Sequence, residues 1–247
     1  MATRLTAVLF DTSDPPGLGR WWADALGWEV SYENDEETEL MPPGDQRAPG
    51  QIQLGFYVGD DHKVGKNRLH LDLASDSKEQ QAAQVQRLLS LGARPADVGQ
   101  DLEKVPWVVL ADPEGNELCV LDPRPQYRHT GAIAAVVIDA IDPASLGSFW
   151  ASATGWLAVA AAEGLVSLQP PEPGLPFVEF IQSTSPKVVK DRLHLDVAPF
   201  ADDDREAEVQ RLVSLGARPL DIGQQPGLSW DVLADPEGNE FCVLSPR

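Results

Sequence analysis

The chain repeats itself, and that constrains its fold more than any other feature. "VQRLLSLGARPADVGQ" (85–100) returns as "VQRLVSLGARPLDIGQ" (209–224), "VLADPEGNELCVL" (109–121) as "VLADPEGNEFCVL" (232–244), and "GRWWADALGW" (19–28) as "GSFWASATGW" (147–156). Blocks this similar, in the same order, mark a tandem duplication, so one fold must serve twice. The polar, proline-bearing stretch "DPRPQYRHT" (122–130) is where the copies join. The expected organisation is a first domain over 1–124, a linker over 125–130 and a second domain over 131–247.

Each copy divides again. "LTAVLFD" reads as a short buried strand, and Asp14 then caps a helix with Pro15 at its first position and Gly27 as its stop. Strands are expected near 28–32, 38–41 and 52–58. "RLHLDLA" begins the same order afresh: strand, a helix opened by Ser77 and Gln80 as a capping box and stopped by Gly92, then strands near 93–98, 106–111 and 117–121. The last two are joined by "DPEGN", whose proline and glycine suit turn positions, so turn geometry accounts for it. Four βαβββ half-units of class α+β result. In "RLHLDL" the leucines Leu69, Leu71 and Leu73 alternate with Arg68, His70 and Asp72. One strand face therefore packs on a helix, while the other curls with a partner half-unit around a groove.

Composition narrows the function classes. A hydrophobic content of 43% fits a packed globular protein, and no apolar run reaches the roughly 20 residues a membrane span requires. The N-terminal "MATRLTAVLFD" lacks a signal-peptide pattern, so a cytoplasmic location is expected. The two cysteines, Cys119 and Cys242, occupy equivalent repeat positions, an arrangement that suits free thiols in a reducing compartment. A formal net charge of -20 argues against nucleic-acid and membrane partners and would draw in a cationic small molecule.

Paired βαβββ units, an Asp-capped helix ending in "LGW" and a closing "DPEGN" hairpin resemble the vicinal oxygen chelate superfamily, which includes glyoxalase I, extradiol dioxygenases and bleomycin-resistance proteins. "KNRLHLDL…GAR…WVVLADPEGNELCVL" is most similar to its bacterial glyoxalase-like domains, and the resemblance spans nearly the whole chain twice. In metal-dependent members, what the resemblance implies is four groove positions carrying His, Gln or Glu. Carried over by position, the first copy offers Ala7, Gly55, His70 and Cys119, two of which cannot bind a metal. The second offers Ala135, Glu179, His194 and Cys242.

Two functions follow as expectations. The first is a metal-free small-molecule binding protein of the glyoxalase and bleomycin-resistance type, with no cofactor. Its grooves would be lined by Asp11, His70, Asp72, Trp107 and Cys119, with their counterparts Asp139, His194, Asp196, Trp230 and Cys242, and by Glu179. It would sequester or carry a compact cationic or aromatic metabolite, in the manner of antibiotic-resistance relatives, with Trp107 and Trp230 as stacking platforms. The alternative is a lyase, isomerase or dioxygenase-like enzyme in which Glu179, His194 and Cys242 of the second copy hold Zn, Ni, Mn or Fe. No catalytic residue is assigned; a His–Cys nucleophilic pair lacks a recognisable oxyanion hole. The acidic residues either leave the groove negatively charged or are neutralised in ion pairs with Arg68 and Arg192; the sequence is consistent with both. The molecule is expected to be a monomer with an internal pseudo-dimer, or a homodimer.

Overall fold

A computed structural model describes residues 3–59, 63–100, 104–223 and 227–247, with only the backbone of 160–162. Half-unit one runs β1 (Arg4–Thr12), α1 (Pro15–Leu26), β2 (Glu29–Glu33), β3 (Glu37–Met41) and β4 (Gln53–Val58). Half-unit two runs β5 (Leu69–Leu73), α2 (Lys78–Ser90), β6 (Arg94–Pro95), β7 (Val108–Ala111) and β8 (Glu117–Val120). The second copy repeats this as β9 (Ile133–Ala140), α3 (Pro143–Thr154), β10 (Leu157–Ala162), β11 (Leu165–Gln169) and β12 (Phe177–Gln182). It closes with β13 (Leu193–Ala198), α4 (Arg205–Leu215), β14 (Arg218–Pro219), β15 (Asp231–Ala234) and β16 (Glu240–Val243).

The helix boundaries follow the local chemistry. Asp14 accepts from the Gly17 amide and Asp142 from that of Ser145, and Gly27 and Gly155 close α1 and α3 at φ 68° and 73°, a left-handed backbone that costs glycine least. Ser77 caps α2 by accepting from the Gln80 amide, but Gln80 reaches back to the Asp76 amide, one residue before the position a capping box would use. Gly19 and Gly147 set how closely helix and sheet approach. A Cβ on Gly19 would lie 2.5 Å from Thr38 Cγ2, and one on Gly147 2.6 Å from Val166 Cγ1.

The strands form two eight-stranded mixed, open sheets, and each sheet draws on both copies. Sheet A has the order β14-β15-β16-β13-β1-β4-β3-β2 and sheet B the order β10-β11-β12-β9-β5-β8-β7-β6. The first half-unit therefore pairs with the fourth, through antiparallel β1 and β13, and the second with the third, through β5 and β9. Helices pair differently: Arg87 of α2 donates to carbonyls of α1, and Arg211 of α4 to carbonyls of α3, so helices of one copy adjoin while its strands part. The apolar faces of both sheets share one core with the helices, including Leu69, Leu71, Leu73, Trp22 and Trp150.

The "DPEGN" turns have work beyond turning. Glu114 accepts from Thr12 (2.5 Å) and Arg192 (3.0 Å), and Glu237 accepts from Arg68 (2.9 Å) and from the amides of Ile141 and Asp142. Each glutamate ties its own sheet to the other. Asp112 and Asp235, fully buried, accept from the indoles of Trp22 and Trp150. Turn geometry alone does not explain the motif.

Candidate functional site

Each sheet curls around a groove whose two walls come from different copies. Sheet A carries Ala7, Gly55, His194 and Cys242; sheet B carries Ala135, Glu179, His70 and Cys119. This overturns the grouping of Glu179 with His194 and Cys242: β12, with Glu179, belongs to sheet B, whereas β13 and β16 belong to sheet A. The physical reason is the exchange of half-units, which no periodicity within one copy reveals.

Strand register gives the rows across each groove. In sheet A, Gly55 pairs with Leu9 and Leu9 with His194; in sheet B, Glu179 pairs with Val137 and Val137 with His70. One step along, Ala7 lies beside Asp196 and Ala135 beside Asp72. The residue between the flanking positions is thus aliphatic whichever row is taken. A Cβ on Gly55 would lie 2.3 Å from Leu9 Cδ2 and 2.8 Å from Tyr57 Cε2, so a larger residue there would displace those side chains. Leu9 and Tyr57 fill the space above it.

In both grooves a histidine, an aspartate and a cysteine converge: His70, Asp72 and Cys119, and His194, Asp196 and Cys242, with donor atoms within 4.8 Å of one another in each group. His70 Nε2 lies 3.4 Å from Asp72 Oδ1 and His194 Nε2 3.7 Å from Asp196 Oδ1. Burial pushes both thiols well above the usual range, and the neighbouring carboxylates of Asp72 and Asp196 push in the same direction. Burial also pushes Asp196 up to about 7 and His194 down to about 4. At neutral pH His194 is an uncharged imidazole and Asp196 is poised between its two states.

These residues do not match the set the superfamily uses for a divalent ion. In sheet A, Ala7, Leu9 and Gly55 supply no donor opposite His194, which leaves it with Asp196 and Cys242 rather than a set of His, Gln and Glu side chains. In sheet B the Glu179 carboxylate is already engaged, accepting from Tyr127 Oη and Ser167 Oγ at 2.8 Å each. Burial raises its pKa while those two hydrogen bonds pull it down.

The two grooves differ in what fills them. After β8 the chain turns into a short 3-10 helix at Pro125–Tyr127, within the expected linker, and buries the Tyr127 ring in groove B. It packs there with Val109, Cys119, Leu121 and Ala134, and meets Phe177 edge-on at 5.6 Å between ring centroids. Arg124 covers the Trp107 ring at 5.5 Å, so that indole stacks on a residue of its own chain. Groove A instead contains an open cavity of about 640 Å³. Asp11, His194, Asp196, Trp230 and Cys242 line it, together with Glu37, Glu39, Tyr57, Lys190 and Arg247, which sequence reasoning missed.

Asp11 and Asp139 are each neutralised by a lysine rather than an arginine. Lys190 pairs with Asp11, and Lys66 with Asp139 at 2.6 Å, while Arg192 and Arg68 bridge the sheets through Glu114 and Glu237. The signal was present: "KNRLHLD" and "KDRLHLD" repeat the lysine as faithfully as the arginine. Tyr127 carried no comparable signal, because a tyrosine in a proline-rich linker looks like any exposed loop residue.

Comparison with known proteins places this geometry. The structure aligns with glyoxalase I from Zea mays at a TM-score of 0.65, with 14% identity, over 99% of this chain and 92% of that one. A putative dioxygenase from Bacillus subtilis subsp. subtilis str. 168 aligns at 0.63, with 11% identity, over 99% and 86%. At such identities the likeness concerns the fold alone. No curated protein sequence matches the chain significantly. The model of the glyoxalase-like domain matches residues 7–121 and again 135–244, nearly the whole of each copy. The chain belongs to the glyoxalase-like domain family, as two tandem members in one polypeptide.

Proposed function

We propose that the protein binds a compact small molecule in groove A without a metal ion, to sequester or carry it. The observation that carries this is the contrast between the grooves: one is filled by the chain itself, and the other is an open cavity of about 640 Å³ walled by Tyr57, Trp230, Leu9 and carboxylates. A volume of this order is that of a small-ligand site, and an apolar wall with a few polar groups is how such sites combine affinity with orientation. Glu37 and Glu39 add negative charge beside the neutralised Asp11–Lys190 pair, which favours an aromatic ligand with donor groups over an anion.

The test is a thermal-shift screen of compact aromatic and cationic metabolites, repeated after exhaustive treatment with chelator. Stabilisation that survives chelation and is lost in Trp230→Ala is the expected result. If no compound stabilises the protein, or if chelation abolishes every response, the reading is wrong.

A further inference from the structure

Groove B holds an occupant, and its chemistry can be read. Tyr127 places a phenol ring against Val109, Cys119, Leu121 and Ala134, with its hydroxyl donating to a buried carboxylate at 2.8 Å. The repeat maps those four neighbours onto Val232, Cys242, Leu244 and Thr6, all of which line the open cavity of groove A. Trp107 maps onto Trp230 and Arg124 onto Arg247, again at the cavity wall. The space that Tyr127 fills in one groove is therefore the space left open in the other.

The acceptor is kept, one strand outward. Glu179 and Ser167 are register partners in sheet B; their counterparts Gly55 and Glu39 are register partners in sheet A. In groove A the carboxylate thus comes from β3 rather than β4, and Tyr57 already donates to it at 3.2 Å. Phe177, the edge-on neighbour of Tyr127, is replaced by Gln53, a side chain able to meet a polar substituent.

From this we infer that Tyr127 is a built-in stand-in for the ligand, and that groove A takes a phenolic molecule. Its ring lies among Val232, Cys242 and Leu244, and its hydroxyl donates towards Glu39. The inference rests on the small-molecule reading of groove A and names the ligand class. The cavity of about 640 Å³ exceeds a single phenol ring, so the natural ligand carries a further substituent towards Glu37 and Arg247.

The probes are 4-ethylphenol and 4-ethylanisole, which share a ring but differ in the hydroxyl donor. Titration calorimetry on the full chain should show one site for 4-ethylphenol and at least about tenfold weaker binding of 4-ethylanisole, the loss expected when a donor to a carboxylate is removed. Glu39→Ala should remove that preference, whereas Tyr127→Ala should empty groove B and raise the stoichiometry from one to two. Equal affinity for the two probes, or a preference unchanged in Glu39→Ala, overturns the inference; these measurements decide it even if Tyr127→Ala does not fold. If other metabolites bind groove A while 4-ethylphenol does not, the phenolic class falls and the binding reading stands. If nothing binds, both fall.

Discussion

At the scale of single residues, the groove is governed by burial acting on ionisable groups in opposite directions. Asp196 is pushed from its ordinary 3.8 up to about 7, so between those values the folded chain holds a proton that the unfolded chain has released. Its contribution makes stability fall as pH rises from about 4 to about 7. His194 moves from 6.5 down to about 4, so the unfolded chain is the one that binds the extra proton, and stability rises with pH over that window. The two nearly offset each other in the native protein. Asp196→Asn removes only the first, so its stability relative to the native chain should climb between pH 4 and pH 7 and stay level on either side. Urea denaturation at pH 4, 5.5, 7 and 8 checks this; a pH-independent difference would show that Asp196 does not titrate in that range. The pattern "HLD" announced a histidine and an aspartate on one strand face, but not their protonation, which depends on how completely strands from elsewhere cover them.

Among the elements, α1 and α3 show how one small residue sets a packing distance. Alanine normally stabilises a helix interior by about 0.5–1 kcal/mol relative to glycine. At Gly19 the added Cβ would meet Thr38 at 2.5 Å, an overpacking that costs about 1–3 kcal/mol. Gly19→Ala should therefore lower stability on balance, and Thr38→Ser, by removing the obstructing methyl, should recover part of the loss; a stabilised Gly19→Ala in chemical denaturation would refute the close approach. The elements themselves were largely legible. Caps at Asp14 and Asp142, the glycine stops and the alternation of Leu69, Leu71 and Leu73 are local signals, and local signals survive in sequence. The β6 and β14 strands have two residues each, Arg94–Pro95 and Arg218–Pro219, where a longer strand near 93–98 was expected; beyond them a single amide, of Ala96 or Leu220, still reaches the neighbouring strand.

On the scale of the whole molecule, neither copy owns a complete sheet. When the second copy unfolds, the first loses the strands beside β1 and β5, and when the first unfolds, the second loses those beside β13 and β9; the chain should therefore unfold in urea as a single transition seen alike by tryptophan fluorescence and far-ultraviolet circular dichroism. Two resolved transitions would indicate copies folding independently. The ties between sheets should matter in the same measurement. The Arg68–Glu237 pair is largely buried, its side chains 10% and 14% exposed, and Glu237 also accepts from two backbone amides. Glu237→Ala leaves a buried guanidinium without its carboxylate and should cost about 3 kcal/mol or more. A loss below about 1 kcal/mol would place that pair among ordinary surface contacts.

The sequence by itself determined the duplication, the four βαβββ half-units, the helix ends and the histidine, aspartate and cysteine positions, because each depends on neighbours a few residues away or on self-similarity. It could not decide which half-units pair. An antiparallel β1 joined to β5 or to β13 would satisfy the same backbone hydrogen bonds and bury the same leucine faces, so the choice rests on contacts far apart in the chain, such as Arg68 with Glu237 and Arg192 with Glu114. That one choice separates Glu179 from His194, brings each histidine to the opposite copy's β4 or β12, and turns the linker inward so that Tyr127 fills one groove while the other stays open. Local pattern fixed what the pieces are; tertiary pairing decided which residues meet, and so what the protein can bind.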